Sequence, residues 1–326
     1  MKPTAKQVAH EADVSISAVS RAFSPGSSID PAKRQRILQV AAQLGYTSPA
    51  RRTAEMISAG TVTLVAGDLA NPFYPLVLDT LAKALQAVGR QLLVYTIAPG
   101  TDMDQLTPQV LAARPNALVV TSARLTSDMA RACRQHGIRV VLLNRIQSDV
   151  RVNAVACDNH AGGRDAATFL MARGRRRIGF IGGIVDTSTH RDRAAGFREA
   201  LQAGGQSLFA EAAGGYTYRG GYVAAQAMLT QKTRPDAVFC CNDIMALAAI
   251  DAARELGLST PDDLSVIGFD DIPMAKWTSY RLTTIRQPIT RMINEVVNLI
   301  EAGAAVPIDD TATSILPGKL MVRGSA

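Results

Sequence analysis

Residues 4–23 read TAKQVAHEADVSISAVSRAF, and the reading of this stretch decides what kind of domain opens the chain. Thr4 precedes a run in which Ala5, Val8, Ala9 and Ala12 recur at helical spacing, and Ser15 opens a second run with Ile16, Val19 and Phe23. Only Asp13 and Val14 separate the two runs, so the helix axes must turn sharply. Small Ala9 allows the close approach, and Val8, Val14 and Val19 form the shared interior. This is helix-turn-helix spacing. The second helix then presents its N-terminal side chains outward, where a DNA major groove about 12 Å wide admits it. Ile16, Ser17 and Arg21 are the exposed candidates. A third helix, capped by Asp30 with Pro31 in its first turn, runs through Ile37, Leu38, Val40, Ala41 and Leu44 to Gly45 and completes a three-helix core. On spacing alone, two short helices packed on something larger remain the alternative.

The charge distribution favours a polyanion as partner. The 326 residues carry a net charge of +7 from 35 basic and 28 acidic side chains. Residues 1–60 hold eight of the basic ones (Lys2, Lys6, Arg21, Lys33, Arg34, Arg36, Arg51, Arg52) against four acidic ones (Glu11, Asp13, Asp30, Glu55). A basic head on a nearly neutral body points to nucleic acid, with a merely solvated face as the alternative. A composition of 47% apolar and 19% charged residues is that of a globular α/β protein of two or three domains. Cys133, Cys157, Cys240 and Cys241 have no metal-ligand spacing, and reduced, buried thiols are expected. Without a signal-peptide core or an apolar run near the roughly 18 residues that span a bilayer, the expected location is cytoplasmic.

From residue 62 onward, short apolar runs alternate with helical ones: TVTLVAGD (61–68), a helix over 73–88, QLLVYT (91–96), a helix near 103–113, ALVVTS (117–122), a helix near 127–136 and RVVLLN (139–144). After VNAVACD (152–158) the pattern restarts, with a helix from about Gly162 to Ala172, RIGFIGG (177–183), helices near 191–203 and 219–230, AVFCC (237–241), a helix near 243–256 and LSVIGF (264–269). Repeated β-α units with right-handed crossovers give mostly parallel sheets covered on both faces. The fold class is therefore α/β: a three-helix head and a two-lobed body of two doubly wound parallel sheets. The expected boundaries are a head at 1–47, a linker at 48–60 and a body at 61–326. The first lobe takes about 61–158 and 289–302, and the second about 159–286 with the C-terminal segment. A cleft between the lobes, at the carboxyl ends of the strands, is where α/β sheets bind ligands.

The order VAHEADVS, AVSR and IDPAKRQRILQVAAQLGY resembles the DNA-binding head of the LacI family of bacterial transcriptional regulators. NPFY (71–74), RDRAAGF (191–197), CNDIMALA (241–248), GFDDIPMAKW (268–277) and LTTIRQP (282–288) resemble that family's effector domain, which is similar in turn to periplasmic sugar-binding proteins. The resemblance runs from Thr4 to the MVRGS at 321–325. It implies base reading by Ile16 and Ser17, Arg21 near a base or phosphate, and phosphate contacts from Thr4, Ser15, Ser20, Ser28 and helix-start amides. It also implies that TSPARRTAEMISAG (47–60) is a hinge that folds on operator DNA, with Met56 as the minor-groove wedge. Met56 stands where the family usually has leucine, and Thr53, Ala54 and Glu55 replace its usual Ala-Arg-Ser.

A sugar offers hydroxyls together with apolar ring faces, so its recognition calls for a carboxylate, an arginine and an amide converging over an aromatic ring. Position by position, the resemblance implies Arg193 as guanidinium, Asn242 as amide, Asp270 as carboxylate and Tyr216 as aromatic platform. It places Phe73 on the opposite wall and Gln287 on the floor near the crossover. Thr189 and His190 lie near Arg193, and Asp158 reads as an organiser of the crossover rather than a ligand contact. The partners implied are a pseudo-palindromic operator, a small-molecule effector, in the family's pattern a carbohydrate, and a second copy of the chain, because one head makes too few base contacts. Dimer contacts are expected in the lobe containing Leu69 to Val88. Repression is the family's usual outcome.

Enzyme readings have little support. No GxSxG, P-loop, HExxH or GxGxxG is present, and His10, His136, His160 and His190 have neither metal spacing nor an evident acid partner, so no catalytic residue, metal or cofactor is expected. A solute-binding protein of a sugar transporter is the stronger rival, opposed by the basic head.

Overall fold

The computed structural model describes residues 3–23, 27–46, 60–67, 69–97, 103–121, 124–302 and 307–326. They fall into two units, Met1–Thr61 and Val62–Ala326. The hinge expected at 48–60, with Met56, lies outside the described residues apart from Gly60.

Among its described residues the first unit holds three helices, α1 (Ala5–Glu11), α2 (Ile16–Ala22) and α3 (Pro31–Leu44). Each begins where a side chain answers an orphan amide. Thr4 and Gln7 form a reciprocal capping box, Ser15 Oγ accepts from the Ala18 amide, and Asp30 accepts from the Lys33 amide with Pro31 beside it. Between α1 and α2 the backbone turns through Asp13 at φ 51°. Val8, Val19 and Ile37 are fully buried at the centre, whereas Val14, expected in that interior, is only half-buried at its rim. Phe23 meets Tyr46 edge-on at 5.8 Å and seals the end of the core. α3 stops at Gly45, whose φ of 67° strains any residue with a Cβ.

In the second unit the elements run β1 (Thr61–Ala66), α4 (Phe73–Ala87), β2 (Gln91–Thr96), a 3-10 turn, α5 (Thr107–Ala113), β3 (Ala117–Thr121), α6 (Ser127–Gln135), β4 (Arg139–Leu143) and β5 (Asn153–Cys157). They continue with α7 (Asn159–Ala172), β6 (Ile178–Gly182), α8 (Ser188–Ala203), β7 (Ala210–Ala213), α9 (Tyr218–Leu229), β8 (Ala237–Cys240), α10 (Asp243–Glu255), β9 (Ser265–Asp270), β10 (Thr283–Arg286), α11 (Ile289–Glu301), β11 (Thr313–Leu316) and β12 (Lys319–Met321). The strands form two six-stranded sheets, ordered β11-β5-β4-β3-β1-β2 and β12-β10-β9-β8-β6-β7. In the first sheet, Leu64, Val119, Val141 and Val155 face α4 and α11, while Leu118, Val120 and Leu142 face α5 and α6. Both faces are buried, which is why these strands read as unbroken apolar runs.

Three features depart from expectation. AEAA at 210–213 forms an edge strand parallel to β6, although it lacks the β-branched residues that mark strands. The second sheet is not wholly parallel, because β12 runs antiparallel to β10. The C-terminal segment does not stay with the second lobe: β11 pairs with β5 in the first sheet before β12 returns to the second. The chain thus crosses between lobes three times, after β5, after β10 and after β11. The crossings touch, since the Asp158 amide donates to the Leu316 carbonyl at 2.7 Å. A Cβ on Gly318 would fall 3.0–3.3 Å from atoms of Ile285, Cys157 and Arg286. Asp158 also caps α7, accepting from the Ala161 amide at 2.8 Å.

α7 and α8 cross at backbone contact. A Cβ on Gly163 would lie 2.2 Å from the Arg193 carbonyl oxygen, and one on Gly196 would lie 2.0 Å from that of His160. All four cysteines are free and buried. No helix among the described residues is long and apolar enough to cross a membrane.

Candidate functional site

The head exposes one face of α2. Ile16 is 53% exposed, and Ser17, Ser20 and Arg21 stand clear of the core, as do Thr4, Ser15 and Ser28. The α2 start is preorganised: Ser15 and Ser17 share a hydrogen bond of 2.9 Å, and Arg21 Nε donates to the Ser17 carbonyl at 3.4 Å. Thr4 and Ser15 accept from helix amides as caps, and the Thr4 hydroxyl donates in turn to Gln7 Oε1 at 3.2 Å. An exposed methyl-bearing side chain and hydroxyls at the start of a short helix, with a guanidinium in its last turn, match the edges and phosphates of a duplex.

In the body, a cleft of about 1160 Å³ lies between the lobes at the carboxyl ends of the strands. The second-lobe wall is built by three helix starts, α8 capped by Thr187, α9 by Thr217 and α10 by Asn242. Arg193 and Asp270 sit at its base, 2% and 4% exposed, with Nη2 to Oδ1 at 3.5 Å. Each guanidinium nitrogen has one partner, which leaves further N–H donors on Nη1 and Nη2. Nε donates to Asn159 Oδ1 at 2.8 Å, Nη1 donates to the Cys241 carbonyl, and the plane lies 3.6 Å from the centroid of the Phe269 ring. Burial pushes the Asp270 carboxyl up to about 6, against the pull of Arg193 and the Gln287 amide. Its backbone is strained, at φ 119°. Behind it, the wholly buried Asp243 accepts from Thr284 and from the Ile272 amide, and burial followed by the nearby Asp270 raises its carboxyl well above the usual range.

The other expected residues take distinct places. Tyr216 lies on the cleft, its ring against the Gly183 backbone and its hydroxyl 2.9 Å from Thr189 Oγ1. Burial raises that hydroxyl far above its ordinary value. Asn242 lines the cleft while its Oδ1 accepts from the Met245 amide at 3.2 Å and its Nδ2 donates to the Tyr216 carbonyl at 3.4 Å. Phe73 lines the first-lobe wall, edge-on to Tyr74 at 5.4 Å. Thr189 also lines the cleft. His190 turns away into the second lobe, where its Nδ1 accepts from the Gly183 amide at 3.1 Å and burial lowers its pKa.

Gln287 is not the floor of the cleft. It is buried behind Asp270, donating from Nε2 to Asp270 Oδ1 at 2.7 Å, and it does not line the cavity. The residue belongs to the second crossing, as Asn159, the partner of Arg193, belongs to the first. Each member of the charged pair is therefore tied to a segment that joins the lobes.

Several lining groups escaped the sequence reading. Asn144 and Arg145 directly follow β4, the position where a doubly wound sheet presents ligand-binding side chains, and that placement was the available signal. Tyr74 also lines the cleft, and burial raises the pKa of its hydroxyl. Ser188 Oγ accepts from the Ile146 amide at 3.0 Å, joining the walls across the cleft.

Comparison with known proteins agrees with this anatomy. Residues 4–48 match the model of the lacI family of bacterial regulatory proteins, and residues 167–326 match that of a periplasmic binding protein-like domain. The chain is 33% identical to an uncharacterized HTH-type transcriptional regulator in the aml 5' region of Streptomyces limosus, over 99% of this chain and 94% of that protein. It is 32% identical to the HTH-type transcriptional regulator GalS of Salmonella typhimurium, over 99% of this chain and 96% of that protein. Among solved structures, the transcriptional regulator CelR in complex with cellobiose superposes with a TM-score of 0.74 at 28% identity, over 99% of this chain and 100% of that one.

Proposed function

The chain belongs to the LacI family of bacterial transcriptional regulators, and we propose that it is a repressor whose affinity for a pseudo-palindromic operator is set by a sugar or sugar derivative bound between its lobes. The observation that carries this reading is the pairing of two anatomies in one chain: a head that leaves Ile16, Ser17 and Arg21 exposed, and a body whose cleft is backed by the buried pair Arg193 and Asp270. The head reads bases with Ile16 and Ser17 and holds phosphates with Arg21, Thr4, Ser15, Ser20 and Ser28. Residues 1–47 form this head, 48–60 the hinge with Met56 as wedge, and 61–326 the effector body. Two chains pair so that two heads read the two half-sites, and the protein acts in the cytoplasm.

In the cleft, Phe73 and Tyr216 cover the apolar faces of the ligand, while Arg193, Asp270 and Asn242 meet its hydroxyls. A ligand changes operator affinity only by preferring one lobe arrangement over another. The ties Arg193–Asn159 and Asp270–Gln287 carry that preference into two of the three crossings, which makes Gln287 a positioning residue.

Selection of bound duplexes from a random pool, with the full chain at two salt concentrations, tests the reading. The expected result is a two-fold symmetric site whose affinity falls steeply as salt rises. Absence of any enriched symmetric site, with or without pooled sugars, refutes it.

A further inference from the structure

Two arginines on the cleft are left over once its ion pairs are assigned. Arg124 is engaged by Asp149 at 2.7 Å, and Arg193 by Asp270 at 3.5 Å. Among the described residues, neither Arg145 nor Arg191 has a carboxylate within ion-pair distance, and Asp186 is the one lining carboxylate without a cation of its own. The Nε of Arg145 is buried with no hydrogen-bond acceptor. Such an unmet donor on a charged group is costly.

The two arginines come from opposite walls, and one hydrogen bond fixes how those walls meet. Arg145 follows β4 in the first lobe, and Arg191 stands in the first turn of α8 in the second. The Ile146 amide donates to Ser188 Oγ at 3.0 Å. Ile146 is the neighbour of Arg145, and Ser188 lies three residues before Arg191 on the same helix face. The start of α8, a 16-residue helix, adds its own positive end at this place, with Thr187 and Thr189 hydroxyls beside it.

We infer that the ligand of this cleft is a sugar derivative bearing a compact anionic group, a carboxylate or a phosphate, which bridges Arg145 of the first lobe to Arg191 and the first turn of α8 in the second. The inference rests on the cleft being the effector site. A guanidinium meets either oxyanion with two parallel donors, whereas the hydroxyls of a neutral sugar accept from the arginines but leave both charges unanswered. Because the anion is held from both walls at once, its binding favours the lobe arrangement in which they meet.

Isothermal titration of the full chain tests this with D-gluconate, D-glucuronate and glucose 6-phosphate against the neutral probes D-glucose and cellobiose. At least one anionic probe should bind at least tenfold more tightly than both neutral ones, with the advantage shrinking as salt rises. Arg145→Gln should abolish that advantage. Arg191→Gln, at an exposed position, should reduce it at least threefold. Absence of any preference for an anionic probe, or a preference that survives both substitutions, overturns the inference. Duplex binding by the same wild-type preparation separates the two levels. If it is present while no anionic probe is preferred, only the anionic assignment falls; if it is absent, the regulator reading falls with it.

Discussion

The Gly196→Ala variant tests whether the crossing of α7 and α8 sets the position of Arg193. The added Cβ would lie 2.0 Å from the His160 carbonyl oxygen, against about 3.3 Å for a relaxed C···O contact. The helices must therefore part by about 1.3 Å. The obstacle is backbone, which cannot swing aside, so the cost stands near the upper end of overpacking, about 3 kcal/mol. Replacing glycine by alanine inside a helix returns about 1 kcal/mol, which leaves a net loss of about 2 kcal/mol. For a domain of this size that corresponds to a fall in Tm of about 6 °C, readable by scanning calorimetry. Because α8 carries Arg193, whose Nε reaches Asn159 on α7 at 2.8 Å, ligand affinity should fall as well. An unchanged or raised Tm would mean that the helices do not touch at this point, and the reasoning would be refuted.

Other perturbations probe separate links. Arg21→Ala should weaken duplex binding by roughly tenfold and lower the salt slope by about one, without loss of affinity for a cleft ligand; an equal loss of both, measured by anisotropy and calorimetry, contradicts a modular head and body. Asn159→Ala strands the Arg193 Nε in a buried site at a cost of about 1–3 kcal/mol, seen as a lower denaturation midpoint; no change would show that the Cys241 carbonyl and Asp270 suffice. The Asp270 carboxyl stands near 6 in the folded protein against an ordinary 3.8. The folded state therefore binds this proton more tightly between about pH 4 and 6, and the contribution of Asp270 to stability declines as pH rises through that window, then levels. Comparing Asp270→Asn with wild type from pH 4.5 to 7.5 should show their Tm difference changing below pH 6 and constant above; parallel curves throughout exclude this titration.

The parts that were legible in the sequence are those where local chemistry and tertiary packing agree. Thr4, Ser15, Asp30 and Gly45 mark helix ends that the structure places there, and the apolar runs of β1, β3, β4 and β5 are strands buried on both faces. The departures arise where partners remote in sequence decide. AEAA becomes β7 because β6 offers it an edge, and β11 crosses back because β5 does. Gln287 reads as a ligand contact by position, yet Asp270 stands in front of it and takes its amide. Arg145 carries only its place after β4 as a mark and Ser188 carries none, since the meeting of Ile146 and Ser188 across the cleft depends on how two lobes close rather than on either segment alone.

The central claim is that cleft occupancy governs operator affinity. The most direct measurement is the anisotropy-derived Kd of the full chain for its selected duplex, with and without a saturating sugar or sugar acid that calorimetry shows to bind, in wild type and in Asp270→Ala. The account predicts a change of at least fivefold in wild type and none in the variant. A ligand that binds the cleft in wild type yet shifts the duplex Kd by less than twofold would contradict it.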